Sequence, residues 1–250
     1  MQINFWIIGT LVALTELTFK VLPAKENNNT LAIHELSIKD ATTILNKVAS
    51  SSSDTSGAVF LPLEPKNGNY EQNIEKLFKL NDLQYKGPFT AIRLEGSKTS
   101  IQERLANLEK ELDLGSKKIS NLDTYQSTLF WEKIKNLEFF NNSKNAILRA
   151  VIPPASCVKL INFLDNKYKY FVDWGGSLVW FEVNNLSNNS LQSIRQFILE
   201  LNGYLTVIKH PGNQQSLGEV FTIDPGRLNI SNNIKKSFDP KRIFNPGKMY

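Results

Sequence analysis

Tyr168-Lys-Tyr-Phe-Val-Asp-Trp-Gly-Gly-Ser-Leu-Val-Trp-Phe-Glu-Val183 reads as two strands, residues 168–174 and 177–183, on either side of Gly175-Gly176. Glycine reaches positive φ without steric penalty, so a Gly pair between two apolar runs is the chemistry of a tight antiparallel hairpin. Asp173 is placed to accept backbone hydrogen bonds across the turn, and Trp174 offers a large apolar plate, expected to be packed in the protein.

Working outward from the hairpin, residues 146–152 form an apolar strand stopped by Pro153-Pro154, and 155–164 read as a helix. On the other side, residues 190–201 form a helix closed by Asn202-Gly203, followed by a strand at 204–208. The first half has the same alternation: a strand at 31–36 and a helix at 38–48, with Ile38, Ala41, Leu45 and Val48 on one face. A strand at 57–63, a short helix at 69–80 and a strand at 88–95 follow, then amphipathic helices at 101–114 and 125–137. Residues 17–22 alternate like a buried strand ending at Pro23, and 228–237 form a last helix. Hairpins among strand–helix units predict an α+β fold, with helices on one face of a mostly antiparallel sheet in a duplicated ferredoxin-like layout. No exact sequence repeat accompanies it.

Composition narrows the function classes. With 250 residues, 41% of them hydrophobic, the chain can bury a sizeable core. The net charge of +5 comes from 29 basic and 24 acidic residues without a dense basic block, which argues against nucleic acid as a partner. Cys157 is the only cysteine, so there is no intrachain disulfide, and a reducing compartment fits best. His34 and His210 are too few and too far apart in sequence for a metal site; His210, in a Lys-His-Pro-Gly loop, reads as a bystander. The apolar start is interrupted by Glu16 and falls well short of the roughly 20 residues a transmembrane helix needs.

No G-x-G-x-x-G, G-x-x-x-x-G-K-[ST] or G-x-S-x-G motif is present, and no side-chain set forms a catalytic constellation. The most structured motif is the ending Phe238-Asp-Pro-Lys-Arg-Ile-Phe-Asn-Pro-Gly-Lys-Met-Tyr250. Pro240 and Pro246 fix φ, Asn245 and Gly247 tolerate unusual backbone angles, and Phe238, Ile243 and Phe244 are candidate anchors of a clip that pins the terminus.

This ending resembles the closing signature of FAD-linked oxidases of 2-hydroxy acids, of the glycolate oxidase type. Three further stretches are similar in the same order: residues 8–23; Ala91-Ile-Arg-Leu-Glu-Gly96 with Phe130-Trp-Glu-Lys-Ile134; and Val172-Asp-Trp-Gly-Gly-Ser-Leu-Val-Trp180. The resemblance implies the last strand of a flavin domain at 1–24, an α+β ferredoxin-like cap domain at 25–224 and a return segment toward the flavin at 225–250. It implies FAD as cofactor, with Asn245, Pro246 and Gly247 near it, and Arg149, which precedes a Pro pair, facing an anion or a flavin oxygen. The family's phosphate-cradling flavin domain would lie before residue 1. The implied role is therefore a subunit, inactive alone, of a flavin-dependent glycolate oxidase complex with a flavin catalytic subunit and an iron–sulfur subunit. That complex would oxidise glycolate to glyoxylate in the cytoplasm or at a membrane it associates with. The alternative is a non-enzymatic α+β interaction domain that has lost FAD binding.

Overall fold

A computed structural model describes residues 11, 18–21, 24–62, 88–115, 117–141, 143–164, 168–210, 220–222 and 224–246. The strands in chain order are β1 (Asn27–His34), β2 (Gly57–Leu61), β3 (Phe89–Gly96), β4 (Ile119–Leu122), β5 (Ala146–Val151), β6 (Lys169–Asp173), β7 (Leu178–Val183) and β8 (Tyr204–Lys209). Among them run the helices α1 (Ile38–Ala49), α2 (Lys98–Glu111), α3 (Thr124–Lys135), α4 (Cys157–Leu164), α5 (Asn188–Glu200) and α6 (Pro225–Phe238). The eight strands form one sheet in the order β4-β1-β3-β2-β6-β7-β5-β8, and every pairing is antiparallel.

This order contains a repeat that the residues do not show. The succession strand, helix, strand, strand, helix, strand occurs twice, as β1-α1-β2-β3-α2-β4 and as β5-α4-β6-β7-α5-β8. In each, the fourth strand lies beside the first, the first beside the third, and the third beside the second. The chain is thus α+β, a pair of ferredoxin-like modules joined where the second strand of one meets the second strand of the other. At that joint Phe60 faces Val172.

Alternation along the strands sorts the core into two layers. Leu31, Ile33, Phe60, Ile92, Leu94, Leu148, Val172 and Phe181 face α1, α2, α4 and α5. Ala32, Val59, Leu61, Phe89, Ala91 and Phe171 face the other way, against Phe130, Trp131 and Ile134 of α3 and the short 3-10 turn Glu138–Phe140. The layer of four helices matches the expected one-sided cover, and α3 adds a partial cover on the back. Its capping box, Asp123 with Gln126, fixes where that helix begins.

Three local readings change. Strand β4 was not expected: Ile119-Ser-Asn-Leu122 is short and half polar, with weak strand preference, and it forms because the open side of β1 accepts it. Residues 18–21 of the supposed buried strand carry no strand pairing; Phe19 is 56% and Val21 78% exposed. The helix expected at 69–80 and most of the loop after Lys209 lie outside the described residues. Among the described residues, no helix is long and apolar enough to cross a membrane.

Candidate functional site

The hairpin turn that decided the fold also carries its least ordinary residue. Trp174 has φ of 50°, a left-handed conformation that a bulky side chain rarely adopts and that costs about 1–3 kcal/mol. The turn holds it there: Asp173 Oδ1 accepts from the Trp174 N–H at 2.7 Å, and the Trp174 carbonyl accepts from Ser177 Oγ at 2.8 Å. Gly175, at φ 64°, lies so close to α1 that an added Cβ would meet the Ala49 Cβ at 3.0 Å, so close approach as well as positive φ favours glycine here. Trp174 itself is not packed inside as expected but 58% exposed. The turn spends its strain on presenting an indole to solvent.

Behind that indole stands Arg149. It lies on β5 directly opposite Trp180 of β7, on the sheet face that bears Ile147 and Phe171. Its guanidinium carbon is 5.2 Å from the ring centre of Trp174 and 5.7 Å from that of Trp180, within cation–π range of both. Its Nε is buried and has no hydrogen-bond partner. A buried N–H of a fixed cation without an acceptor is costly, and an anion is the ligand that would satisfy it.

On the adjacent side of the turn, a cleft of about 670 Å³ opens where the two modules meet, bordered by Asp173, Trp174 and Gly175 from one and by Ser56, Gly57 and Arg93 from the other. Arg93 packs over Trp131 at 4.8 Å while Nε donates to Ser56 Oγ (3.0 Å) and Nη2 to the Ser56 carbonyl (3.1 Å). Trp131 is locked in turn: its Nε1 donates to Thr30 Oγ1 at 2.9 Å, and Thr30 and Ser127 share a 2.6 Å hydrogen bond. Burial pushes the Asp173 carboxyl above its usual range, against the Trp174 N–H and the Arg93 charge, which pull it down.

The carboxy-terminal motif has a different organiser from the anchors expected. Asp239, itself buried, accepts from the backbone N–H of Ile243 (2.9 Å, Oδ1) and of Phe244 (2.9 Å, Oδ2), and from Lys235 Nζ at 2.6 Å. Lys235 also donates to the Phe244 carbonyl at 2.7 Å. Burial raises the Asp239 carboxyl, but the lysine and the two backbone donors outweigh it and leave its pKa at about 2. Phe238 and Ile243 are exposed, so a polar knot, not a hydrophobic clip, orders this turn. Asn245 follows in a left-handed conformation, φ 45°, with Pro246 after it, and Gly247 lies outside the described residues. The side chain of Arg149 lies between the two indoles, and Asp239 and Lys235 tie the turn at residues 243–244 back to α6.

The remaining candidates are structural. His34 is buried with Nε2 2.8 Å from Ser120 Oγ, and burial lowers its pKa. Cys157 is buried, which pushes its thiol up to about 11 against a hydrogen bond with Thr42, so its thiolate is scarce at neutral pH. Among the described residues no group of three or more His, Cys, Asp or Glu is placed to hold a metal ion.

The described residues do not fit the pyrophosphate of FAD. A dinucleotide is usually held on free N–H groups at a helix start. Here the starts of α1, α2, α3, α5 and α6 are capped by the chain's own Ser37, Ser97, Asp123, Ser187 and Asp224 side chains. Of the site residues now on the page, Arg93 and Trp131 were not singled out from sequence. The available signal was Arg93 itself, a lone cation inside the apolar strand Phe89-Thr-Ala-Ile-Arg-Leu.

No family model and no curated protein matches this chain. Two solved structures of alkyldihydroxyacetonephosphate synthase, in crystal forms P1 and P212121, are similar to it. They share 12% and 13% identity with TM-scores of 0.47 and 0.49, over 89% and 90% of this chain and 44% of each of theirs. The chain thus spans less than half the length of those proteins, and the fold assignment rests on its own strand order.

Proposed function

We propose that this chain is the cap-side part of an FAD-linked oxidase of 2-hydroxy acids, working on glycolate with partner subunits, and that Arg149 receives the substrate carboxylate. The observation that supports this reading is the buried Arg149 Nε without an acceptor, set between Trp174 and Trp180. A guanidinium offers a planar fork that matches a carboxylate, and two indoles flank it within cation–π range. The collinear resemblance of the tail and of the Asp-Trp-Gly-Gly turn supports the family reading. FAD belongs to another domain or subunit, in keeping with five of the six described α-helix starts being filled by their own caps. Asn245, Pro246 and Gly247 are then the segment that approaches that flavin-bearing surface.

The test is reconstitution with a flavin subunit and an iron–sulfur subunit of a glycolate oxidase, followed by glycolate-to-glyoxylate kinetics. Arg149→Gln should raise KM for glycolate about tenfold or more while changing kcat less, the mark of a group that binds the substrate and the transition state alike. An unchanged KM, or a complex that oxidises glycolate equally well without this chain, would sink the proposal. The filled helix caps also favour a second reading, an α+β interaction domain with no cofactor. A purified complex without flavin absorbance and without turnover would select it.

A further inference from the structure

The cleft at the module junction is a site in its own right, and its chemistry differs from that of Arg149. Its volume falls within the roughly 300–1,000 Å³ typical of small-molecule sites. Three carboxylates, Glu95, Glu132 and Asp173, line it against two cations, Arg93 and Lys135, so the field disfavours an anionic ligand.

The polar groups inside it are fixed before any ligand arrives, and each keeps one valence open. Asp173 uses Oδ1 for the Trp174 N–H, and its Oδ2 makes none of the described hydrogen bonds. Arg93 is held through Nε and Nη2, which leaves Nη1 outside the described hydrogen bonds. Asn28 Nδ2 donates to Thr128 Oγ1 at 2.9 Å, which fixes that wall of the cleft. A complementary ligand must therefore donate to a carboxylate, accept from a guanidinium, and carry no negative charge. Neighbouring hydroxyl groups do this, because each is both donor and acceptor. At the rim, Trp174 supplies a large flat apolar surface, held exposed by backbone strain, on which the C–H face of a saturated ring can lie. Strain retained at an exposed aromatic beside a polar cleft is the pattern of a ligand clamp.

We propose that this cleft binds a neutral pyranose, its ring lying on the Trp174 indole and its hydroxyls bridging Asp173 and Arg93. A nucleoside is the competing flat ligand. Its base has fewer groups that act as both donor and acceptor, and its phosphorylated forms meet the wrong field.

Saturation-transfer NMR on the full chain tests this with glucose, galactose, mannose, N-acetylglucosamine and their disaccharides, and with adenosine and guanosine alongside. At least one pyranose should give a saturable signal, and Asp173→Asn and Trp174→Gly should each weaken it about tenfold or more. Trp174→Gly removes the indole and relieves the left-handed backbone, and Asp173→Asn keeps an acceptor for the Trp174 N–H, so neither variant threatens the fold. The proposal is overturned if no pyranose saturates, if binding survives both substitutions, or if the nucleosides bind and the pyranoses do not.

Discussion

Arg93, on the third strand of the first module, and Arg149, on the first strand of the second, are held in opposite ways. Each projects from a central strand toward the back face of the sheet, and each lies over an indole. Arg93 is tied down by Ser56 and has Glu95 3.8 Å from its Nε. Arg149 has two tryptophans and no acceptor for its Nε. The contrast separates structural from functional use of one residue type. A cation tied to a neighbouring loop through Nε and Nη2 holds the fold together, whereas one left with a buried open donor weakens the apo protein and is poised for a ligand.

The contrast can be broken most readily in the first module. Thr30→Val removes the acceptor of the Trp131 Nε1–H and the partner of Ser127 in a fully buried network, and should cost about 1–3 kcal/mol in urea unfolding. Next in size is the arginine pair itself. Arg93→Gln should destabilise by about 1–2 kcal/mol, because Arg93 is only about a quarter exposed and loses two charge-assisted bonds. Arg149→Gln should change stability by less than about 0.5 kcal/mol or raise it slightly. Equal losses at the two positions would show that Arg149 is structural and remove the main support for its role in binding.

The smallest effect on global stability, and the most local, belongs to the tail. Asp239 has its folded pKa depressed to about 2 from an unfolded value of about 3.9. A depressed carboxyl stabilises above the unfolded value and loses that contribution as pH falls through the folded one. Hydrogen-exchange protection of the Ile243 and Phe244 amides should therefore persist down to pH about 4 and vanish near pH 2, and Asp239→Asn should lower it even at pH 7. Protection that is flat with pH would mean that the two backbone bonds to Asp239 do not hold the turn.

Much of this architecture was legible in the residues because periodicity and capping chemistry agreed. The hairpin followed from Gly175-Gly176, α1 from its apolar spacing after Ser37, and β5 from its run into Pro153-Pro154. Strand β4 was not legible, since Ile119-Ser-Asn-Leu122 becomes a strand only through the neighbour it finds. The site was legible in part. Arg149 and the Asp173-Trp174 turn stood out from sequence, but the exposure of Trp174 did not, because a tryptophan in a hairpin is more often buried than displayed. Arg93 and Trp131 meet across the back of the sheet, and strand or helix periodicity carries no record of which side chains will face each other there.

The antiparallel meeting of β2 with β6 has a consequence for how such a chain arises. Two equivalent strands pairing this way, with all four module helices on one face, are related by a twofold axis perpendicular to the sheet. A single module able to pair with its own copy through its second strand would build the same sheet as a homodimer. Joined in one polypeptide, the halves no longer need to be complementary to themselves. One hairpin is free to shorten to Trp174-Gly-Gly while its counterpart spans the residues between Leu61 and Phe89. In this view the tandem chain is a covalently closed dimer whose two halves are free to diverge.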